Sequence, residues 1–374
     1  MSDNPIPNSG PSKGPAPPTR SPLDLLRPAV RAMPGYTPGE QIADLTKLNT
    51  NEGAFPPSPR VRAALSAIAD ESLRLYPDPT SSGLRAVAAA RFGVAPEEVL
   101  AGNGSDDCLT VLYRGFLDPG ERVACPWPTY GLYATLAALQ GAELVQLPFV
   151  TNGRRFVLPR DLARQRAKMI ILANPNNPSA TLVPVDELRA LCDEAAGAIV
   201  VVDEAYVDFA LGAGIDASML PYLHQHPNLV VLRTLSKSYS LAGARLGLLF
   251  AAAPVVEALT KVKDSYNVNA ITQAIGIAAL EDRAYLDDRV RRTLEQRARL
   301  EAALAALGLT WPESAANFLL VEIGERAEEV YLALKQTGLL VRWWSAPELR
   351  TKIRISVGKP DDNDRLSAAL KSLM

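Results

Sequence analysis

Thr234-Leu235-Ser236-Lys237-Ser238-Tyr239-Ser240-Leu241-Ala242-Gly243-Ala244-Arg245-Leu246-Gly247 follows the apolar run 229–232, which reads as a buried strand. A single lysine, Lys237, sits among hydroxyls and small residues, and Arg245 stands a little further on. Short flanking side chains leave the amine able to reach a bound carbonyl, and the hydroxyls and guanidinium suit a phosphate. The pattern fits a lysine that holds pyridoxal phosphate as a Schiff base, with the cofactor phosphate gripped nearby. It fits equally well an ordinary polar loop with a solvated lysine, and only the surrounding chain separates the two.

Outward from this stretch, strand-like and helix-like segments alternate. Residues 122–125, 144–147, 169–173, 199–202, 229–232 and 246–251 read as strands, and residues 130–139 and 185–196 as helices. Continuous Val/Ile/Leu runs between helices imply a largely parallel sheet covered on both faces, an α/β architecture. In such sheets the ligand crevice lies beyond the carboxyl ends of the strands. The polar clusters 174–178, 203–206 and 234–237 all fall at such ends. Three independent solvated loops have no reason to share that placement.

Pyridoxal phosphate chemistry needs a carboxylate facing the pyridine nitrogen. Asp203 closes an otherwise apolar strand, where an unpaired carboxylate is costly; a cationic ring would neutralise it, or Asp203 is simply a helix cap. Tyr206 and the Asn177 amide suit the ring's phenolic oxygen, although Asn-Pro-Asn-Asn-Pro is also an ordinary turn. Tyr130 suits stacking on a planar ring or packing in the core. Gly102-Asn103-Gly104-Ser105-Asp106 at a helix start offers free N–H groups to a phosphate, or plain N-capping by Ser105 or Asp106. Arg354 alternates with apolar residues in a predicted strand, so it snorkels or meets an anion. Arg342 is a second candidate.

The chain has 374 residues and a net charge of −2, which points to about two domains and to neither nucleic acid nor an anionic membrane. No window reaches the roughly 18 apolar residues of a span, and no signal-peptide core is visible. Cys108, Cys125 and Cys192 are scattered without metal-type spacing and read as reduced core residues of a cytoplasmic protein. His224 and His226 share one polar turn, so neither a histidine triad nor a metal site is expected. Residues 1–21 read as a disordered tail and 22–48 as an extended arm. Residues 49–262 read as a large cofactor-binding domain and 263–374 as a smaller α+β domain. The latter carries a helix over 284–307, strands over 318–323, 339–344 and 352–357, and a closing helix from Asp361.

Taken together, the chain resembles the histidinol-phosphate aminotransferase family of fold-type I pyridoxal-phosphate enzymes, from about Leu26 onward. The resemblance rests on residues 47–52 (KLNTNE), 74–77 (RLYP), 102–106 (GNGSD), 128–133 (PTYGLY), 174–179 (NPNNPS), 203–206 (DEAY), 234–247 and 354–358 (RISVG). Each motif is weak alone; eight in family order are specific. The resemblance implies a homodimer that exchanges an amino group between glutamate/2-oxoglutarate and histidinol phosphate. It implies Lys237 as the Schiff-base lysine and Asp203 as partner of the pyridine nitrogen. Tyr206 and Asn177 would sit on the ring hydroxyl, Tyr130 against the ring, and Ser105, Asp106, Ser236 and Arg245 around the phosphate. Tyr76 would reach the partner subunit's cofactor phosphate, and Tyr36, Asn51, Arg342 and Arg354 would line the substrate site. Three departures stand out: Ala180 where glycine is usual, Gly53 where asparagine is common, and Trp343-Trp344 after Arg342. The first two are expected to matter little, and the tryptophans bear on substrate identity. An aromatic amino-acid aminotransferase is the alternative, followed by a threonine-phosphate decarboxylase. A pyridoxal-phosphate-binding regulatory module lacks the basic DNA-binding segment it needs.

Overall fold

In the computed structural model, which describes residues 21–33, 35, 38–152 and 154–374, the apolar runs become one seven-stranded sheet. Its strands are β1 (Val99–Gly102), β2 (Arg122–Trp127), β3 (Glu143–Pro148), β4 (Met169–Ala173), β5 (Ile199–Asp203), β6 (Leu229–Thr234) and β7 (Gly247–Phe250), in the order β1-β7-β6-β5-β4-β2-β3. Pairs among β2 to β6 are parallel, and β7 runs antiparallel to both neighbours. Strands β4, β5 and β6 are buried throughout apart from the first residue of β5, because apolar clusters cover both faces. This is the doubly covered, mostly parallel α/β sheet expected.

Register brings the strand ends level. Asp203 pairs with Ala173 on one side and Leu232 on the other. Gly247, where β7 begins, pairs with Thr234 and with Gly102, where β6 and β1 end. Reversing β7 therefore sets Arg245, two residues before Gly247, at the same sheet edge as Asp203 and Lys237.

A third cluster gathers Leu48, Leu319, Val321, Val330, Ile353 and Leu366 around the antiparallel strands Phe318–Glu322 and Lys352–Ser356. Leu48 belongs to it because Thr46–Lys47 pairs with Leu339–Leu340, and the Leu48 carbonyl accepts from the Ser356 N–H at 2.9 Å. The chain then runs on from Leu48 to the sheet edge. The long helix Arg283–Ala306 buries Leu286 and Val290 in the sheet-side core and Leu300 and Leu304 in the third cluster. Helix Ala270–Glu281, beyond the expected boundary at 262/263, packs on helices Pro59–Ser66 and Ser82–Phe92.

Some expectations change. The arm is not simply extended: it holds the 3₁₀ turn Pro22–Leu25, capped by Ser21, and the short helix Pro28–Ala32. Each starts on a proline, whose fixed φ and missing N–H suit the first helical position. The strand expected over 339–344 shrinks to Leu339–Leu340 plus a single bridge between Arg342 and Arg354. Residues 1–20 of the expected tail, and Tyr36 of the expected substrate site, lie outside the described residues.

Candidate active site

After β6 the chain folds into a tight turn that presents Lys237. The Leu235 N–H donates to the Leu246 carbonyl and the Leu241 N–H to the Leu235 carbonyl, both at 3.0 Å, while the Ser240 N–H donates to the Lys237 carbonyl at 3.2 Å. The Thr234 hydroxyl donates to Ser236 Oγ at 3.0 Å. Lys237 Nζ donates to the Thr50 carbonyl at 3.0 Å and lies 5.6 Å from the centre of the Tyr206 ring. The amine is thus held between the turn after β6 and the segment arriving from Leu48.

Asp203 ends β5 in a buried position. Its Oδ2 accepts from the Tyr133 hydroxyl at 3.0 Å and its Oδ1 from the Ala205 N–H at 3.2 Å. Burial outweighs both bonds and pushes the carboxyl up to about 6, because desolvation disfavours the charged form. Tyr133, fully buried beside it, has its phenol pushed up by burial and then by the Asp203 charge. Among the described residues no cation pairs with this carboxylate.

At the β1–β7 end, helix Ser105–Phe116 starts from Gly104, which has φ +85° and supplies no side-chain cap. Among the described residues the N–H groups of Ser105 and Asp106 have no acceptor, contrary to the plain-capping alternative. Bare N–H groups at a helix start suit an anion. Arg245, itself left-handed at φ +55°, places Nη2 3.0 Å from Asp106 Oδ2. Tyr130 donates to Asp106 Oδ1 at 3.2 Å and meets the Tyr133 ring edge-on. The Arg245–Asp106 pair is nearly half exposed on each side; such pairs are worth about 0–1 kcal/mol, so the guanidinium can be shared with a phosphate at little cost. A β-carbon on Gly104 would stand 2.5 Å from Arg245 Nη2, and one on Gly247 2.3 Å from the Ser105 nitrogen. Both glycines keep this cradle open.

The opposite end is built by strand Lys352–Ser356 of the third cluster and by the segment after Leu48. Arg354 Nη1 donates to Asn177 Oδ1 at 2.5 Å and Nη2 to the Asn49 carbonyl at 2.6 Å. Its guanidinium lies 5.3 Å from the Phe318 ring centre and 5.2 Å from that of Trp344, over which Arg342 also lies at 5.3 Å. Asn51 Nδ2 donates to the Tyr206 hydroxyl at 3.1 Å, and Asn51 Oδ1 accepts from the Ser356 hydroxyl at 2.9 Å. Asn51, Ser240 and Arg245 all have positive φ; such non-glycine strain gathers where the surroundings dictate a conformation.

The structure therefore brings Lys237, Asp203, Tyr206, Asn177, Asn51, Arg342 and Arg354 to one sheet edge, with Ser105, Asp106, Tyr130, Ser236 and Arg245 beside them. Tyr76 stands outside this set, 80% exposed and stacked on Tyr266 at 4.4 Å. Sequence reasoning missed Tyr133, Thr50 and Ser356 as contributors. Ser356 was reachable, since residues two apart on a strand share a face with each other and Arg354 was already singled out.

A family model described as aminotransferase class I and II matches residues 43–370. The histidinol-phosphate aminotransferase of Microcystis aeruginosa is 41% identical over 351 residues, 93% of this chain and 98% of that protein. This chain belongs to the histidinol-phosphate aminotransferase family of class I and II aminotransferases. The family member from Synechocystis sp. is 42% identical over 354 residues, again 93% of this chain and 98% of that protein. The Sinorhizobium meliloti family member, solved in complex with pyridoxal-5'-phosphate, superposes with a TM-score of 0.83 at 27% identity, covering 93% of this chain and 98% of that one. The chain is thus a pyridoxal-phosphate-dependent aminotransferase. Its own residues fit the cofactor: a buried carboxylate with no cation beside it among the described residues, an amine, and an open cradle of backbone N–H groups beside a guanidinium.

Proposed function

We propose that this enzyme transfers an amino group between glutamate and imidazole-acetol phosphate, yielding 2-oxoglutarate and histidinol phosphate. The observation that supports it is the convergence on Lys237 of an anion cradle at one end and two arginines, Arg342 and Arg354, at the other. A phosphorylated amine needs an anion site separate from that of the cofactor phosphate, and bidentate guanidinium groups suit it.

When bound, pyridoxal phosphate supplies the carbonyl that takes the amine and the ring that draws off the electron pair of the substrate's α-carbon. Asp203, ionised, pairs with the ring's N–H⁺, and the Tyr133 hydroxyl keeps the carboxylate oriented. Tyr206 and the Asn177 amide hold the ring's phenolic oxygen, and Tyr130 packs against the ring. The Ser105 and Asp106 N–H groups, Ser236 and Arg245 hold the phosphate. Lys237, as a neutral amine, would take the substrate α-proton on Nζ and deliver it to the former carbonyl carbon of the cofactor, not to the α-carbon it came from, so that the amino group changes hands; the Thr50 carbonyl would keep Nζ in the cleft between transfers. Arg354 and Arg342 receive the substrate's anionic group, beside Asn51.

The same reading makes the enzyme a homodimer in which Tyr76 reaches the cofactor phosphate of the other subunit, supported by its exposure on an aromatic stack. It also makes the enzyme cytoplasmic, supported by three unpaired, buried thiols. Among the described residues no helix is long and apolar enough to cross a membrane.

Half-reaction kinetics with histidinol phosphate beside phenylalanine and tyrosine test the substrate. The expected result is faster conversion of histidinol phosphate, with Lys237→Ala slowing it by about 10⁴-fold or more. Phenylalanine reacting as fast would replace this reading by the aromatic amino-acid one, which the flat Trp344 and Phe318 faces around Arg354 favour.

A further inference from the structure

Beneath the turn that presents Lys237 lies a buried ionic cluster. Arg233, the penultimate residue of β6, is 5% exposed. Its Nε stands 2.8 Å from Glu204 Oε2, in ion-pair rather than hydrogen-bond geometry. Its Nη1 donates to Asp208 Oδ1 at 3.0 Å and its Nη2 to Ser218 Oγ at 3.0 Å. The Ser218 hydroxyl in turn donates to Glu204 Oε2 at 3.0 Å, and Glu204 Oε1 accepts from the Met219 N–H. The second oxygen of Asp208 accepts from the Ser238 hydroxyl.

Two features make this more than a structural knot. Glu204 directly follows Asp203, and Ser238 directly follows Lys237. The cluster thus grips the chain one residue beyond each of the two groups assigned to the cofactor, and four residues before Lys237 as well. Buried ion clusters also contribute little net stability, because desolvation of the charges offsets their attraction. Their worth lies in fixing geometry.

We propose that Asp208 is a positioning residue for the amino transfer. It holds Arg233 with one carboxylate oxygen and Ser238 with the other, and so sets Lys237 Nζ relative to Asp203. This rests on the assignment of Lys237 and Asp203 made above. The side chain of Asp208 touches neither residue; it acts through Ser238 on one side and through Arg233 and Glu204 on the other.

The test uses the pyridoxal-phosphate-loaded enzyme and the variants Ser238→Ala, Ser238→Thr and Asp208→Ala. Hydride reduction followed by peptide mass spectrometry locates the cofactor, visible circular dichroism reports the geometry of the lysine-bound cofactor, and steady-state kinetics separate kcat from KM. In Ser238→Ala, kcat falls about tenfold with KM unchanged and the dichroic amplitude altered. Ser238→Thr, which keeps the hydroxyl, restores both, and Asp208→Ala shows a larger effect of the same kind. Cofactor attached at Lys237 with unchanged kcat and dichroism in Ser238→Ala overturns the proposal alone, even if thermal stability drops. Attachment elsewhere in the wild-type enzyme overturns the assignment of Lys237 and the proposal with it. Should Asp208→Ala fail to fold, the serine pair decides, since it differs from the wild type by one hydroxyl or one methyl.

Discussion

At Gly53 a β-carbon would stand 2.2 Å from Ser240 Oγ and 2.8 Å from the Lys237 carbonyl oxygen. The serine can turn away; the carbonyl belongs to the turn that presents the lysine and cannot. Gly53 therefore carries more weight than its sequence suggests, because it lets the segment after Leu48 lie directly on the Lys237 turn. Gly53→Ala is expected to lower kcat by about tenfold or more through displacement of Nζ, with the bound-cofactor absorbance retained; turnover assays beside absorbance spectra check both. Ala180 is the opposite case. It is fully buried at φ +63°, which costs an alanine about 1–2 kcal/mol. Its methyl returns about 0.8 kcal/mol through burial, and alanine restricts the unfolded chain by roughly 0.4–1 kcal/mol more than glycine does. These terms nearly cancel. Ala180→Gly should shift unfolding stability by less than about 1 kcal/mol in either direction, measured by urea titration.

Strand β7 does for the cofactor phosphate what no local motif does. Running antiparallel between β1 and β6, it carries Arg245 to the cradle and packs Gly247 on the Ser105 nitrogen. The helix start alone was readable from Gly-Asn-Gly-Ser-Asp, since glycines before a helix leave N–H groups bare. That Gly247 closes its other wall depends on strand direction, which an apolar run of four residues does not encode. Gly104 needs both its positive φ and its missing β-carbon. Gly104→Ala is therefore expected to raise the pyridoxal phosphate dissociation constant by about tenfold or more, the equivalent of losing about 1.4 kcal/mol. Equilibrium titration of the cofactor-free protein with pyridoxal phosphate measures it.

Across the whole molecule, Asp203 couples cofactor to stability. Without a cation its carboxyl titrates at about 6 in the folded chain, against about 3.9 when unfolded. The folded state then binds the proton more tightly, so the stabilisation is complete below pH 4 and is lost as pH rises through 4 to 6. The loss amounts to at most about 3 kcal/mol. The cofactor-free wild type should accordingly show a fall in unfolding free energy across that window that cofactor-free Asp203→Asn does not share. The loaded enzyme, with the ring N–H⁺ opposite Asp203, should not show it either. Urea unfolding of all three at pH 4, 5 and 6.5 separates these outcomes.

Read by itself, the sequence determined the α/β class, the strand-end placement of Asn177, Asp203 and Lys237, the helix-start N–H groups and the eight-motif family resemblance. All of these follow from interactions between near neighbours: alternation of apolar and polar runs, turn residues at strand ends, glycines before a helix. Tertiary structure alone decided that β7 reverses and brings Arg245 to the sheet edge. It alone set Tyr133 on Asp203, Thr50 on Lys237, and both Arg342 and Arg354 over one indole. The partners in those contacts lie from 70 to 187 positions apart in the cases of Asp203 and Lys237. Such contacts depend on how separate layers pack, and no local pattern carries that information.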